Sequence, residues 1–259
     1  MKTVTTQSSA RWTVAAALGL SAATLGTASA DVIDFTDDQS YTNGDIAGQN
    51  GWFRVFGPEP LFNVVDAGVS GGLDQVATGG AIARNFTDAE AGQAFDTNTS
   101  IVTYTIVFNT PAAHPTATFT GIGFGIGDTI FSTDVDLGIF LRDDGRIQIE
   151  DGVLTGNDRL LGDFDITPTS DTVTLTVSLD YSDNTYSASR SDSPTKDRVD
   201  FAFDPGATEN PYFLRIDSSQ PYDVVIDSIS IETTAIPEPG SLVLLGLGGL
   251  ALVGRRRKP

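Results

Sequence analysis

Apolar and polar residues alternate at a period of two between residue 31 and residue 236. In the run 172–179, Val and Leu occupy one face while Thr and Ser occupy the other. The run 101–108 is rich in β-branched and aromatic residues. Such alternation is typical of strands with one buried face. No stretch of this region shows the 3.6-residue period of an amphipathic helix, so the pattern predicts an all-β domain.

Turn signals divide this region into short strands. Asp-Gly at 144–145 separates two predicted strands, and the polar segment 180–184 separates two others, so both positions predict hairpins. Turn signals about ten residues apart favour a two-sheet antiparallel sandwich. The remaining strands are expected at 32–35, 52–56, 61–65, 81–86, 117–125, 135–141, 146–150, 199–203, 212–216 and 224–231.

The first 30 residues have a different composition. Lys2 and Arg11 precede an Ala-rich apolar stretch, and Ala28 and Ala30 place small residues at the −3 and −1 positions before Asp31. A membrane-spanning helix needs about 20 apolar residues, and this stretch is shorter. The pattern is that of a secretory signal peptide. We therefore predict a signal helix over 1–30, with cleavage after Ala30.

The last 24 residues also stand apart from the β region. Pro237, Glu238 and Pro239 interrupt regular structure, since proline cannot continue a strand ladder or a helix interior. An apolar run then precedes the cationic end 255–258. About 14 helical residues span roughly 21 Å, less than the bilayer core. The sequence predicts a C-terminal hydrophobic helix outside the domain, and three parts: 1–30, 31–235 and 236–259.

Pro-Glu-Pro, an apolar helix and an arginine cluster, in that order, resemble the PEP-CTERM sorting signal. Ile236 stands where Val is usual in such signals. The resemblance implies a Gram-negative bacterium in which an exosortase-type membrane protease removes the helix. It also implies that the helix first holds the protein in the inner membrane as an intermediate. The processed protein would then lie at the cell surface or in the extracellular matrix. An ordinary tail anchor is the alternative.

Three segments of the middle resemble the concanavalin A-like (laminin G-like) jelly rolls. They are the Gly- and Asn-rich loop 44–52 that ends in Trp52, the hairpin 173–186, and the Asp-x-Ile-x-Ile strand within 223–231. The resemblance implies a jelly-roll sandwich with a lectin-like role. Extracellular polysaccharide is the partner that it suggests.

The net charge and the rarest residue types exclude several classes of function. The region 31–236 holds nine Lys and Arg against 33 Asp and Glu, which argues against a nucleic-acid partner because phosphate contacts need clustered cations. The absence of Cys excludes disulfides and thiol catalysis. A single histidine, His114, excludes a His-rich catalytic metal site.

Two carboxylates are candidate ligands for a structural calcium ion. Asp227 shares parity with Ile229 and Ile231, which predicts that it lies on the core face of its strand. A buried carboxylate needs a hydrogen-bond partner, a cation or a metal. Asp34 would join Asp227 if the first and last strands meet, giving an oxygen site for a hard cation. The alternative is that Asp227 bonds backbone amides at a bulge or faces the rim.

Trp52 is a candidate glycan contact, because an exposed indole ring can stack on a sugar. The alternative is that Trp52 lies in the core beside Phe53 and Phe56.

The sequence predicts no enzyme. It lacks the paired-carboxylate run of jelly-roll glycosidases and the G-x-S-x-G motif of Ser hydrolases. We therefore expect a non-enzymatic surface or matrix protein that associates with exopolysaccharide through a lectin-like sandwich. The alternatives are a structural surface module without a glycan ligand and a polysaccharide-degrading enzyme of the same fold.

Overall fold

The computed structural model describes residues 31–98, 100–109, 120–127, 137–142, 147–150, 159–161, 172–191, 198–203, 210–218 and 224–236. In chain order these residues form strands β1 (Val32–Ile33), β2 (Gly44–Asp45), β3 (Phe53–Phe56), β4 (Phe62–Val64), β5 (Leu73–Gln75), β6 (Gly80–Asn85), β7 (Ser100–Asn109), β8 (Thr120–Ile126), β9 (Leu137–Arg142), β10 (Ile147–Glu150), β11 (Arg159–Leu161), β12 (Thr172–Asp180), β13 (Thr185–Arg190), β14 (Arg198–Ala202), β15 (Phe213–Ser218) and β16 (Val225–Ala235). One 3₁₀ turn covers Asp37–Gln39.

The strands form two antiparallel sheets. The nine-stranded sheet has the order β14-β13-β12-β7-β16-β5-β4-β2, with β1 paired to β16, and the seven-stranded sheet has the order β11-β10-β9-β8-β15-β6-β3. The predicted two-sheet sandwich and both hairpins, β9–β10 and β12–β13, are confirmed. The short strands β2, β5 and β11 were not predicted, because two or three residues are too few to show an alternation.

The core lies between the inner faces of the two sheets. Along β7 the burial alternates strictly, and its core face includes Tyr104 and Ile106. The facing sheet contributes Ile82, Phe124 and Leu214, all essentially inaccessible to solvent. This alternation is the reason that the sequence pattern specifies which face of each long strand is buried.

The last strand, β16, is held on both of its edges. It pairs with β7 along its length, with β5 at residues 225–226, and with β1 at residues 229–230. A bulge interrupts the β7 ladder between Ile226 and Ser228. The extra residue shifts the side-chain alternation, so Ile226 and Ile229 are both buried while Asp227 is half-buried. Asp227 therefore does not lie on the core face that strand parity predicted.

Among the described residues, no helix has the length and apolar character needed to cross a membrane. The predicted signal helix, with Ala28 and Ala30, lies outside the described residues. The same is true of Pro237, Glu238, Pro239 and the predicted C-terminal hydrophobic helix.

Candidate functional site

An open cleft of about 450 Å³ lies beside the first strand of the domain. Its volume is within the range of ligand pockets, about 300–1,000 Å³. Polar side chains and a short apolar wall line it together, and the lining residues are Asp31, Val32, Ile33, Gln39, Tyr41, Asn50, Arg84 and Glu90. Convergent polar groups in a cleft of this size make it the candidate binding site.

Arg84 supplies the cation of the cleft from a core position. It lies on β6 with the same parity as the core residue Ile82, and is only 8% exposed. A buried guanidinium is costly unless it is paired. Arg84 forms an ion pair with the carboxylate of Glu90, and its Nη1 donates to the Tyr41 hydroxyl oxygen at 3.0 Å. The guanidinium also lies 5.0 Å from the centroid of the Phe86 ring.

A tight turn fixes the carboxylate of Glu90. The Thr87 amide donates to Glu90 Oε2 at 2.7 Å, and the Glu90 amide donates to Thr87 Oγ1 at 3.3 Å. These reciprocal bonds are those of a capping box. The carboxylate is thus held by the turn on one side and by Arg84 on the other, and it reaches the cleft already oriented.

Tyr41 places its hydroxyl group at the back of the cleft. Its oxygen accepts from Arg84 Nη1 and from Trp52 Nε1 at 3.1 Å. Burial raises the pKa of Tyr41, and the nearby Arg84 cation opposes that rise. The phenol therefore stays neutral at physiological pH, and its O–H proton remains able to donate.

Trp52 supports the cleft from behind. It is 1% exposed, and its ring centroid lies 6.5 Å from that of Phe35. The buried indole offers no face to a sugar, which corrects its expected role as a glycan contact and agrees with the core alternative. The loop that Trp52 ends nevertheless contributes Asn50 to the cleft.

The rim of the cleft is fixed by amide side chains. Asn50 Nδ2 donates to the Gln39 carbonyl oxygen at 2.9 Å, and Gln39 Oε1 accepts from the Asp34 amide at 2.9 Å. Gln39 Nε2 also donates to the Val32 carbonyl oxygen. These bonds connect β1, the 3₁₀ turn and the 44–52 loop, so the rim is held in place before any ligand binds.

The first and last strands meet, as the calcium hypothesis requires. Ile33 pairs with Ile229, so Asp34 and Asp227 lie on neighbouring strand segments. Each carboxylate, however, bonds to protein donors. Asp34 Oδ1 accepts from Thr36 Oγ1 at 2.5 Å, and Asp227 Oδ1 accepts from Asn109 Nδ2 at 3.1 Å. Burial raises the pKa of Asp227.

Calcium requires six to eight oxygen ligands. Within the described parts of the chain, no group of three or more His, Cys, Asp or Glu is arranged to hold a metal ion. Asp34 and Asp227 supply two carboxylates, and an amide N–H points at one of them. The described residues therefore do not fit the structural calcium that the sequence suggested.

A second ion pair lies on the outer face of the seven-stranded sheet. Arg215 and Asp217 alternate with the core residues Leu214 and Ile216 on β15, and Arg215 Nε donates to Asp217 Oδ1 at 3.0 Å. Burial raises the pKa of Asp217, against the effect of Arg215. The Arg215 guanidinium lies 5.4 Å from the centroid of the Phe56 ring.

Small residues make room on this outer face. The strand register places Ala81 and Gly123 on either side of Asp217. A Cβ atom at Gly123 would lie 2.8 Å from Cδ1 of Phe140. Glycine at this position therefore lets an aromatic ring lie against the sheet beside the ion pair.

Sequence reasoning did not identify Arg84, Glu90 or Tyr41. Two signals were nevertheless present. Arg84 shares parity with Ile82 and Phe86, which marks a charged residue on a core face in the same way as was argued for Asp227. Thr87 and Glu90 have the spacing of a capping box. Tyr41 carries no local signal, because its partners lie 11 and 43 residues away along the chain.

A family model described as the PEP-CTERM protein-sorting motif matches residues 235–258. This match confirms the sorting signal and indicates an exported surface protein that is processed at the membrane. No curated protein matches the chain.

The similar solved structures include lectin-like β-sandwiches. Arcelin-5, a lectin-like defense protein from Phaseolus vulgaris, has a TM-score of 0.48 and 10% identity over 75% of this chain and 97% of its own. Peanut lectin has a TM-score of 0.46 and 14% identity, over 80% and 99%. A carbohydrate esterase from Shiga toxin-encoding bacteriophage phi24B has a TM-score of 0.46 and 13% identity, over 78% and 98%. Likeness at this level gives no argument about ligand or activity.

Proposed function

We propose that this protein is a non-enzymatic surface or matrix protein whose cleft binds a sugar unit of extracellular polysaccharide. The observation that carries the proposal is the fixed Arg84–Glu90 pair beside the Tyr41 hydroxyl in an open cleft of about 450 Å³. Sugar hydroxyl groups both donate and accept, and the cleft offers a carboxylate, amides and a phenol for both roles. Because these groups are already bonded to protein partners, little ordering is required on binding.

The charges of the cleft favour a neutral sugar. Its lining holds two carboxylates, Asp31 and Glu90, and one guanidinium, Arg84. Signal cleavage after Ala30 would add the α-ammonium group of Asp31, so the charges of the cleft then balance. The surrounding domain is strongly acidic, and it would repel an acidic polysaccharide but not a neutral one.

Export and processing provide the location. In this proposal, cleavage after Ala30 gives a mature chain beginning at Asp31, and an exosortase-type protease of a Gram-negative cell removes the C-terminal helix from an inner-membrane intermediate. The mass of the protein recovered from the cell exterior tests this directly. We expect the mass of a chain that ends near residues 236–239. A mass that includes the intact C-terminus would contradict the proposed processing.

Binding to purified polysaccharides tests the cleft. We expect retention on neutral polysaccharide and at least about tenfold weaker binding for Glu90→Gln and for Asn50→Gly. Glycine is chosen at position 50 because Asn50 has a φ of 45°, which glycine adopts without strain. The matched control is Asp88→Asn, which removes an exposed charge from the same turn as Glu90. Absence of binding across neutral and acidic polysaccharides would favour the structural-module alternative.

The enzymatic alternative has one specific observation in its favour. Asp217 is a partly buried carboxyl group on a sheet face with a raised pKa, which is the property of a general acid. Its bonds to Arg215 give it a structural role instead in the present proposal. Release of reducing ends from a bound polysaccharide, abolished by Asp217→Asn, would establish the enzymatic alternative.

A further inference from the structure

The sorting motif begins where the last strand of the sandwich ends. β16 runs to Ala235, and Ala235 is still paired with Ser100 of β7. The family match to the sorting motif starts at this same residue. A single residue, Ile236, therefore separates the strand ladder from Pro237, the first residue of the Pro-Glu-Pro tripeptide.

The end of β16 is held on both sides. On one edge its ladder with β7 continues through Thr234 and Ala235. On the other edge the Thr233 amide donates to the Ala91 carbonyl oxygen at 2.7 Å. Thr233 is 5% exposed, and its hydroxyl lies 2.8 Å from the hydroxyl of Tyr212. The residues just before the motif are therefore fixed in the folded domain.

The first residues of the domain point towards the same end of the sandwich as the last residues of β16. β1 is antiparallel to β16, with Val32 opposite Ser230, so Asp31 lies on the side of Val32 that faces the Ala235 end of β16. The folded body therefore begins, at Asp31, on the side of the sandwich from which the sorting segment 236–259 continues. A protease in the membrane would meet this end of the domain.

A protease binds its substrate as an extended segment on both sides of the cut bond. The protease pairs with the substrate backbone as a neighbouring strand would, so the N–H and C=O groups of the substrate must be free. The Thr233 amide is already bonded within the sandwich, and the ladder with β7 continues to Ala235, two residues before Pro237. We propose that the folded domain restrains its own processing: the sorting motif is cut only when the last residues of β16, from Thr233 to Ala235, detach from the ladder. This inference rests on the proposed processing by a membrane protease and adds a fold-dependent control to it.

Insertion of a four-residue Gly-Ser linker between Ile236 and Pro237 tests the restraint. In cells of the producing bacterium, the processed fraction of the full chain is followed by pulse-chase and mass measurement. The linker frees the motif without altering the strand, so we expect processing to be about three- to tenfold faster than for the wild type. The matched control places the same linker between Ser182 and Asp183, in the exposed turn of the β12–β13 hairpin, and should process at the wild-type rate.

Thr233→Ala provides an independent readout. The change removes the hydroxyl contact with Tyr212 and leaves the backbone able to form the ladder. We expect faster hydrogen exchange of the amides at 233–236, together with a smaller gain in processing rate than the linker gives.

The outcomes separate the two proposals. Equal rates for the wild type and the linker variant, or slower processing of the linker variant, overturn the restraint while leaving the sorting role in place. A tail that is retained in the wild type but removed from the linker variant supports the restraint. Retention of the tail in both variants overturns the restraint and the processing proposal together.

Discussion

The cleft and the outer face of the seven-stranded sheet both hold an arginine–carboxylate pair, but the two pairs are built differently. Arg84 extends from the core face of β6 and meets Glu90 through a separate turn, whereas Arg215 and Asp217 are alternate residues of one strand. Arg84 also binds Tyr41, 43 residues away along the chain. The side chains of Arg84 and Glu90 are 10% and 23% exposed, and those of Arg215 and Asp217 are 16% and 28% exposed.

The two pairs show that a more deeply buried charge depends more strongly on its ion-pair partner. Arg84 is fixed between the core and the cleft, so the loss of Glu90 leaves a poorly solvated cation. Arg215 lies on an outer face beside Phe56, and it can turn towards water when Asp217 is neutralised. The comparison therefore predicts a large effect at the cleft and a small one at the outer face.

The largest effect is expected for Glu90→Ala. The variant leaves the Arg84 guanidinium without its carboxylate and removes the capping box of the turn, which together should lower the free energy of unfolding by about 2–3 kcal/mol. Access of water from the cleft keeps the cost below the 3–5 kcal/mol typical of a fully buried pair. Urea denaturation measures the change, and Asp88→Asn is the control. A loss below about 0.5 kcal/mol would show that the pair is not structurally coupled.

A middle-sized effect is expected for Tyr41→Phe. The ring still fills its place, but Trp52 Nε1 and Arg84 Nη1 both lose the oxygen that accepts their hydrogen bonds. Unpaired buried donors should lower the free energy of unfolding by about 1–2 kcal/mol. Tyr212→Phe is the matched comparison, since it also removes a buried phenol hydroxyl but leaves the cleft unchanged. Polysaccharide binding should weaken for Tyr41→Phe alone.

The smallest effect at neutral pH is expected for Asp217→Asn, within about 1 kcal/mol of the wild type. Its pH dependence is the sharper test. Burial raises the pKa of Asp217 in the folded state above the ordinary value of 3.8. The folded state therefore binds this proton more tightly, and the resulting stability is present at acid pH and lost as the pH rises through the folded pKa.

Denaturation of both chains from pH 3 to pH 7 checks the sign of this linkage. The wild type should gain stability relative to Asp217→Asn as the pH falls. A relative loss at low pH would mean that Arg215 lowers the pKa of Asp217 more than burial raises it.

Most of the fold could be predicted from the sequence, because one-sided burial of a strand leaves a period-two pattern. The long strands β7 and β12 show this pattern, and both hairpins follow from turn residues. The site could not be predicted in the same way. Arg84, Glu90 and Tyr41 lie on three separate segments, and their meeting depends on how β6, the turn 87–92 and the chain before Trp52 pack together.

Asp227 shows how a local rule fails. Strict alternation assigns it to the core face, and one extra residue at the bulge moves it out. A bulge changes the count of residues along one strand relative to its neighbour, so it is defined by the pairing of two strands. A single segment of sequence does not contain that information.

By itself, the sequence determined the two-sheet all-β class, the acidic character and the C-terminal sorting motif, because each depends on residues that are neighbours along the chain. The tertiary structure alone decided that Trp52 is buried behind Tyr41, that Arg84 faces a cleft, and that the sorting motif starts one residue beyond a strand held on both edges. Those facts depend on contacts between distant segments, and such contacts are fixed only when the whole sandwich packs.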